Sequence, residues 1–166
     1  MIFAARRYGA NEVYYYKEGN EYTSRTGGWV SVIGRNTPQF FKNGDNLEIR
    51  CQEGGGDTDI GYFYTDNSVD LTNIDTLVFE IEGVIASSSD RVKIGAHTSK
   101  TNVTTPTFTA MTAISGGSFS RQTYNVDVSG LTGSYYIAFY LLNSSFSASP
   151  NEVWSKMYSV YGVKAA

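Results

Sequence analysis

Apolar and polar residues alternate along most of the chain with a period of two. In Leu77-Val78-Phe79-Glu80-Ile81-Glu82, Leu77, Phe79 and Ile81 fall on one side and Glu80 and Glu82 on the other, the signature of a half-buried strand. Leu47-Glu48-Ile49-Arg50-Cys51 repeats the pattern with Leu47, Ile49 and Cys51 inward, and Arg91–Ala96 and Tyr124–Val128 do so again. Each predicts an antiparallel strand with one dry and one wet face. The runs Ile60–Tyr64, Tyr135–Leu142 and Val153–Tyr161 are apolar on both faces, which predicts strands whose outer side is also covered. Shorter strands are predicted at Val13–Tyr16, Trp29–Ile33, Gln39–Lys42, Phe108–Ala113 and Phe119–Gln122.

Breakers separate these runs: Thr26-Gly27-Gly28, Asn43-Gly44-Asp45-Asn46, Gly54-Gly55-Gly56-Asp57, Ser87-Ser88-Ser89-Asp90 and Ser115-Gly116-Gly117-Ser118. They are turn chemistry, and Asn43-Gly44 between Phe40-Phe41 and Leu47 predicts a hairpin. No stretch has helical periodicity. About ten short strands separated by turns predict one all-β domain over residues 1–166, a sandwich or a barrel. Residues 1–11 are either part of it or a flexible arm or connector.

Composition sharpens this picture. Thirteen Tyr and nine Phe are a load that suits strands. Thirteen basic against sixteen acidic residues give a net charge of −3, so no basic footprint argues for nucleic acid or an anionic membrane. No run approaches the roughly 20 apolar residues of a membrane helix. A single Cys51 excludes an internal disulfide framework and a cysteine metal cage. In Met1-Ile2-Phe3-Ala4-Ala5-Arg6-Arg7 no long apolar stretch follows the charges, so the opening does not read as a secretory signal.

Two segments echo one another. Asp70-Leu71-Thr72-Asn73-Ile74 and Asp127-Val128-Ser129-Gly130-Leu131 both run Asp, apolar, hydroxyl, then a second apolar residue before a strand. The carboxylate and hydroxyl can bond backbone amides to fix a tight corner, while the apolar residues plug the end of a sandwich. These corners resemble those of galactose-binding-like and carbohydrate-binding jelly-roll sandwiches. Asn20-Glu21-Tyr22-Thr23-Ser24-Arg25-Thr26-Gly27-Gly28-Trp29 resembles a segment of tail and appendage proteins from phages and prophages of Gram-positive bacteria. The resemblance covers residues 12–164. It implies a two-layer antiparallel β-sandwich of jelly-roll, galactose-binding-like type, without catalysis. Its implied setting is a virion tail or the cell exterior, after synthesis in the host cytoplasm. The implied partners are a bacterial cell-surface glycan or other tail and baseplate proteins, with a homo-oligomer, such as a trimer, in keeping with fibre symmetry. The alternatives are a purely structural virion subunit and a jelly-roll glycan hydrolase.

The residues offer little catalytic chemistry. His97, the one histidine, stands in Ala96-His97-Thr98-Ser99 without a nucleophile elbow and reads as a solvated strand-end residue. Cys51 shares the inward register of Leu47 and Ile49 and reads as core. Glu80 and Glu82 have a spacing open to glycoside hydrolysis, yet sit where a strand places its wet residues. Asp57 and Asp59, in the Gly54–Asp59 segment, could supply oxygens to a structural Ca²⁺; otherwise no cofactor is expected.

The aromatics carry the binding expectation. Flat rings cover the C–H faces of sugars while neighbouring polar groups bond the hydroxyls. Outside the inferred core register stand Tyr14, Tyr16, Tyr62, Tyr64, Tyr136 and Tyr140, with Trp29 and Trp154 as further candidates. For the tryptophans the competing reading is core packing; for the tyrosines it is a protein interface.

Overall fold

The computed structural model describes residues 11–52, 58–85, 91–99, 107–144 and 152–164. Among these, twelve strands and one helical turn follow in order: β1 (Glu12–Lys17), α1 (Thr23–Thr26), β2 (Trp29–Arg35), β3 (Gln39–Lys42), β4 (Leu47–Gln52), β5 (Asp59–Thr65), β6 (Val69–Asp70), β7 (Ile74–Val84), β8 (Arg91–His97), β9 (Phe108–Ile114), β10 (Phe119–Asp127), β11 (Ser134–Asn143) and β12 (Glu152–Lys164). All pairings are antiparallel. Sheet A runs β10-β7-β12-β4-β3 and sheet B runs β2-β5-β11-β8-β9.

The long strand β12 organises sheet A. One of its edges pairs with β7; on the other, Glu152–Met157 pairs with β4 and Ser159–Val163 with β1. In sheet B, β11 does the same, lying against β8 on one side and against β6 and then β5 on the other. The inward alternation of both sheets fills the space between them. Leu47, Ile49, Cys51, Leu77, Phe79 and Ile81 of sheet A meet Phe63, Ile94, Ile137 and Phe139 of sheet B, all buried in one cluster.

Both Asp corners form as their sequences predict. Asp70 Oδ1 accepts the Thr72 N–H (2.9 Å) and hydroxyl (2.6 Å), and Asp127 Oδ1 accepts the same pair from Ser129 (3.0 and 2.7 Å). These bonds hold both carboxyls below the usual carboxylate range. Leu71 and Val128 are buried as end plugs. The corners also touch: Thr72 Oγ1 accepts the Gly133 N–H (3.0 Å), and the Leu71 N–H donates to Gly133 O (2.9 Å).

The Thr26-Gly27-Gly28-Trp29 element is architectural. Thr26 is fully buried, its hydroxyl donating to Glu21 O (2.6 Å) and accepting the Gly28 N–H (3.0 Å). Gly27 and Gly28 take φ of 68° and 104°, values that suit residues without a Cβ. The chain can thereby leave α1 and enter β2 within two residues. Trp29 is then driven inward, its indole N–H donating to Tyr15 O (3.1 Å).

Three local expectations change. The runs at Phe119–Gln122 and Tyr124–Val128 are one strand, β10, whose register shifts between Phe119 and Gln122. The Asn43-Gly44 hairpin forms, but its loop takes four residues and closes by the Asn43 N–H donating to Asn46 O (2.9 Å). Thr23–Thr26 makes one helical turn, too short to show a period.

Candidate functional site

The outward side chains of sheet A form rows across four strands. Tyr14 on β1 lies opposite Tyr161 on β12, which lies opposite Val78 on β7 and, beyond it, Asn125 on β10. The next row carries Lys17, Ser159, Glu80 and Thr123. The Tyr14 ring stands 5.0 Å from that of Tyr161 and stacks at 6.1 Å and 24° on Tyr22, which precedes α1. Its hydroxyl donates to Glu12 Oε2 (3.0 Å), and the Lys17 ammonium sits 4.8 Å from its centroid. Arg25 on α1 braces this wall, donating to Tyr14 O (2.8 Å).

At the other end a β-bulge matters. The register shift between Met157 and Ser159 leaves Tyr158 as the extra residue and re-aims its ring. Arg121 lies 3.8 Å over that ring and grips Glu80 with two bonds, Nε to Oε1 (2.9 Å) and Nη2 to Oε2 (3.0 Å). Glu18 approaches the same guanidinium at 3.6 Å. Tyr158 Oη donates to Glu82 Oε1 (2.5 Å), and Lys156 also faces Glu82, at 3.7 Å. The Glu80 bonds raise the Arg121 pKa further. Burial, followed by neighbouring glutamates, raises those of Tyr158 and Tyr161, so both hydroxyls remain proton donors across the physiological range.

Two cavities open on this surface. One, of about 420 Å³, is lined by Glu12, Tyr14, Lys17, Glu18, Asn20 and Tyr22. The second, of about 340 Å³, reuses Tyr14, Lys17 and Glu18 and continues past Tyr161 to Glu80 and Arg121. Because they share a wall, they are two halves of one groove from Tyr22 to Arg121. The groove offers half-buried aromatic rings beside charged donors and acceptors, a chemistry suited to a polyhydroxylated chain. Glu80 and Glu82, expected to be wet strand-face residues, are half-buried and engaged in the Arg121 and Tyr158 bonds.

The other predicted aromatics lie elsewhere. Tyr16 was expected to share the face of Tyr14, but a bulge between them places Tyr16 opposite the core residue Val160 and turns its ring inward, edge-on to Trp29 at 6.2 Å. Tyr16 and Trp29 are both core, at 1 % and 2 % exposure, and neither can stack on a ligand as placed. Tyr62, Tyr64 and Tyr140 do face away from the main core, on the outer side of sheet B. There Val32, Tyr62, Tyr140 and Lys93 form one row, and Val30, Tyr64 and Ala138 the next. These rows bury themselves as a second apolar cluster with Ile60, leaving Tyr62 at 2 %, Tyr140 at 0 % and Tyr64 at 9 % exposure. Tyr136 is half-buried at the margin of that cluster. Trp154 is half-buried on sheet A beneath the Lys156 ammonium (4.7 Å), roughly 20 Å along β12 from Tyr161 at a strand's rise per residue.

His97, expected to be solvated, is buried: its ring sits among Tyr64, Tyr136 and Phe108, and desolvation lowers its pKa. Of the pair considered for calcium, Asp59 is buried in β5 opposite Asn143 and Asp57 lies outside the described residues. Among the described residues no three His, Cys, Asp or Glu side chains gather in metal-binding geometry. The sequence reading missed Tyr22, Tyr161, Glu18 and Arg121 as groove residues. Their only sequence signal was aromatic or charged character, since strand pairing across nearly the whole chain brings them together.

No family model matches the chain, and no curated protein does. Solved structures do. A family 29 carbohydrate-binding module is 17 % identical at a TM-score of 0.52, over 91 % of this chain and 83 % of that one. TmCBM61, solved in complex with β-1,4-galactotriose, is 8 % identical at 0.50, over 92 % and 99 %. PfGH50B is 13 % identical at 0.50, over 86 % of this chain and 23 % of that one. At such identities the likeness is one of fold: the protein is a two-sheet antiparallel β-sandwich of the kind found in carbohydrate-binding modules.

Proposed function

We propose that the protein is a non-catalytic carbohydrate-binding module that holds a bacterial surface glycan along the groove from Tyr22 to Arg121. The observation that supports this most directly is the half-buried row of Tyr22, Tyr14 and Tyr161 beside the fixed Arg121 guanidinium, on a sandwich shared with such modules. Sugar C–H faces would lie on the rings, and Arg121, Asn20 and the glutamates would exchange hydrogen bonds with hydroxyls. Binding is by shape and stacking, with no bond made or broken. Its proposed setting, a phage or prophage tail or appendage, rests on the Thr26–Trp29 resemblance.

The test is affinity electrophoresis and calorimetry against a panel of bacterial wall polysaccharides and β-linked oligosaccharides. Saturable binding should fall at least about tenfold in Tyr161→Ala and Arg121→Ala, with the melting temperature moving by only a few degrees, about the shift of a 1 kcal/mol change. Trp154→Ala, off the groove, should bind as the parent does. A flat panel from the folded protein overturns the proposal in favour of a purely structural subunit.

A further inference from the structure

The two halves of the groove carry unequal charge. Glu12, Glu18 and Glu80 line it against Lys17 and Arg121. The cation best shaped for an anionic ligand is already occupied: Arg121 spends Nε and Nη2 on Glu80, and its face lies on Tyr158. Its remaining N–H groups lie beside two carboxylates, Glu80 and, at 3.6 Å from Nη2, Glu18, so a second anion there competes with charges already present. On the anionic side, Glu18 is 58 % exposed at the junction of the two cavities and meets Arg121 only at 3.6 Å, so its charge is largely turned to solvent. Glu12 contributes a second carboxylate a few residues away, one of its oxygens bonded to Tyr14.

From this asymmetry we infer that the groove selects glycans by charge, taking chains that carry protonated amino groups in preference to neutral chains, and neutral chains in preference to uronates. The inference rests on the reading of the groove as a glycan site and adds its ligand class. A sugar ammonium gains Glu18 and Glu12 without displacing anything. A uronate carboxylate meets their repulsion and at Arg121 competes with Glu80 and Glu18. Because these are exposed charges, each step of the preference is modest, about threefold, the size of a surface ion pair, and screened by salt.

The experiment compares three tetramers of one linkage by calorimetry at about pH 5.5, where the sugar amine is protonated and ordinary carboxylates are charged. They are β-1,4-linked glucosamine, its fully N-acetylated counterpart, and a β-1,4-linked uronate. The expected order is amine, then N-acetyl, then uronate, narrowing between about 20 mM and 500 mM salt. Glu18→Gln, at an exposed position, should erase most of the preference for the amine. Glu80→Gln should release Arg121 and raise uronate affinity about fivefold; should that variant fail to fold, Glu18→Gln and the salt series still decide. Equal binding of all three, or tighter binding of the uronate by the parent protein, overturns the charge inference and leaves the glycan site standing. Absence of binding to all three, with a flat polysaccharide panel, overturns both.

Discussion

The outer faces of the two sheets begin from the same sequence device, tyrosine at alternate positions, and end differently. On sheet A, Tyr14 and Tyr161 stand half-buried in a groove, with Glu12 and Lys17 on β1 and Glu80 and Arg121 on β7 and β10 around them. On sheet B, Tyr62, Tyr64 and Tyr140 close into an apolar cluster with Ile60 and Ala138. The difference lies in the neighbouring rows. On sheet A the ring row of Tyr14 and Tyr161 borders a polar row of Lys17, Ser159, Glu80 and Thr123, whereas on sheet B the adjacent tyrosine rows include Val32, Val30 and Ala138, with Lys93 at the end of one. Alternation fixes the side of a sheet on which a ring falls; cross-strand company decides whether that side is a binding face or a second core.

The largest expected effect tests this division directly. Tyr140→Ala should cost about 3–5 kcal/mol, the range for removing a buried aromatic ring, read as the shift of the urea midpoint. Tyr14→Ala, at a half-buried position, should cost about 1 kcal/mol yet weaken glycan binding. Stability should thus follow sheet B and affinity follow sheet A. A cheap Tyr140→Ala, or a Tyr14→Ala that unfolds the protein and spares binding, would break the comparison.

The fold was largely legible because it is written locally. Leu47, Ile49 and Cys51 alternate without interruption and are buried as the pattern says. The corners at Asp70 and Asp127 carry their own hydrogen-bonding groups. The site was less legible because bulges and pairing are non-local. One extra residue at Tyr15 reverses Tyr16 while leaving Tyr14 outward, and another re-aims Tyr158. Strict period-two counting passes over both. Tyr14 meets Tyr161 only through the β1–β12 pairing, and Arg121 meets Glu80 only through β10 and β7. His97 misled for a related reason: its neighbours in sequence are polar, while those in space are Tyr64, Tyr136 and Phe108.

A smaller effect is expected where the chain passes from one face to the other. Thr26 ties α1, beside the groove, to β2 of sheet B. Thr26→Val preserves shape but leaves the buried Gly28 N–H without its acceptor and Glu21 O without the hydroxyl. The cost should be about 1–3 kcal/mol, as for an unsatisfied buried polar group. Because Glu21 and Tyr22 precede this turn, glycan affinity should also weaken, linking the two faces through one residue. Calorimetry on the folded variant checks the second effect, and a variant that loses stability with full affinity would show that the groove wall is held independently of the turn.

The smallest effect concerns the two corners, which also carry the chain between sheets: β6 of sheet B into β7 of sheet A, and β10 of sheet A into β11 of sheet B. Hydroxyl and amide bonds from Thr72 and Ser129 hold Asp70 and Asp127 below the ordinary carboxylate value of 3.8. A depressed folded pKa favours the ionised form in the native state. Each corner's contribution is therefore complete above the unfolded value and lost as the pH falls through the folded one. Asp70→Asn with Asp127→Asn retains an acceptor oxygen but removes the titration. The urea midpoint of the double variant should accordingly fall less steeply than the parent's from about pH 5 to about pH 2. The corners also share Thr72 and Gly133 through two hydrogen bonds, so the slopes removed by the single variants should not sum to that removed by the double. Strict additivity would mean that each corner is held by its own strands, and that the contact between them transmits nothing from one sheet to the other.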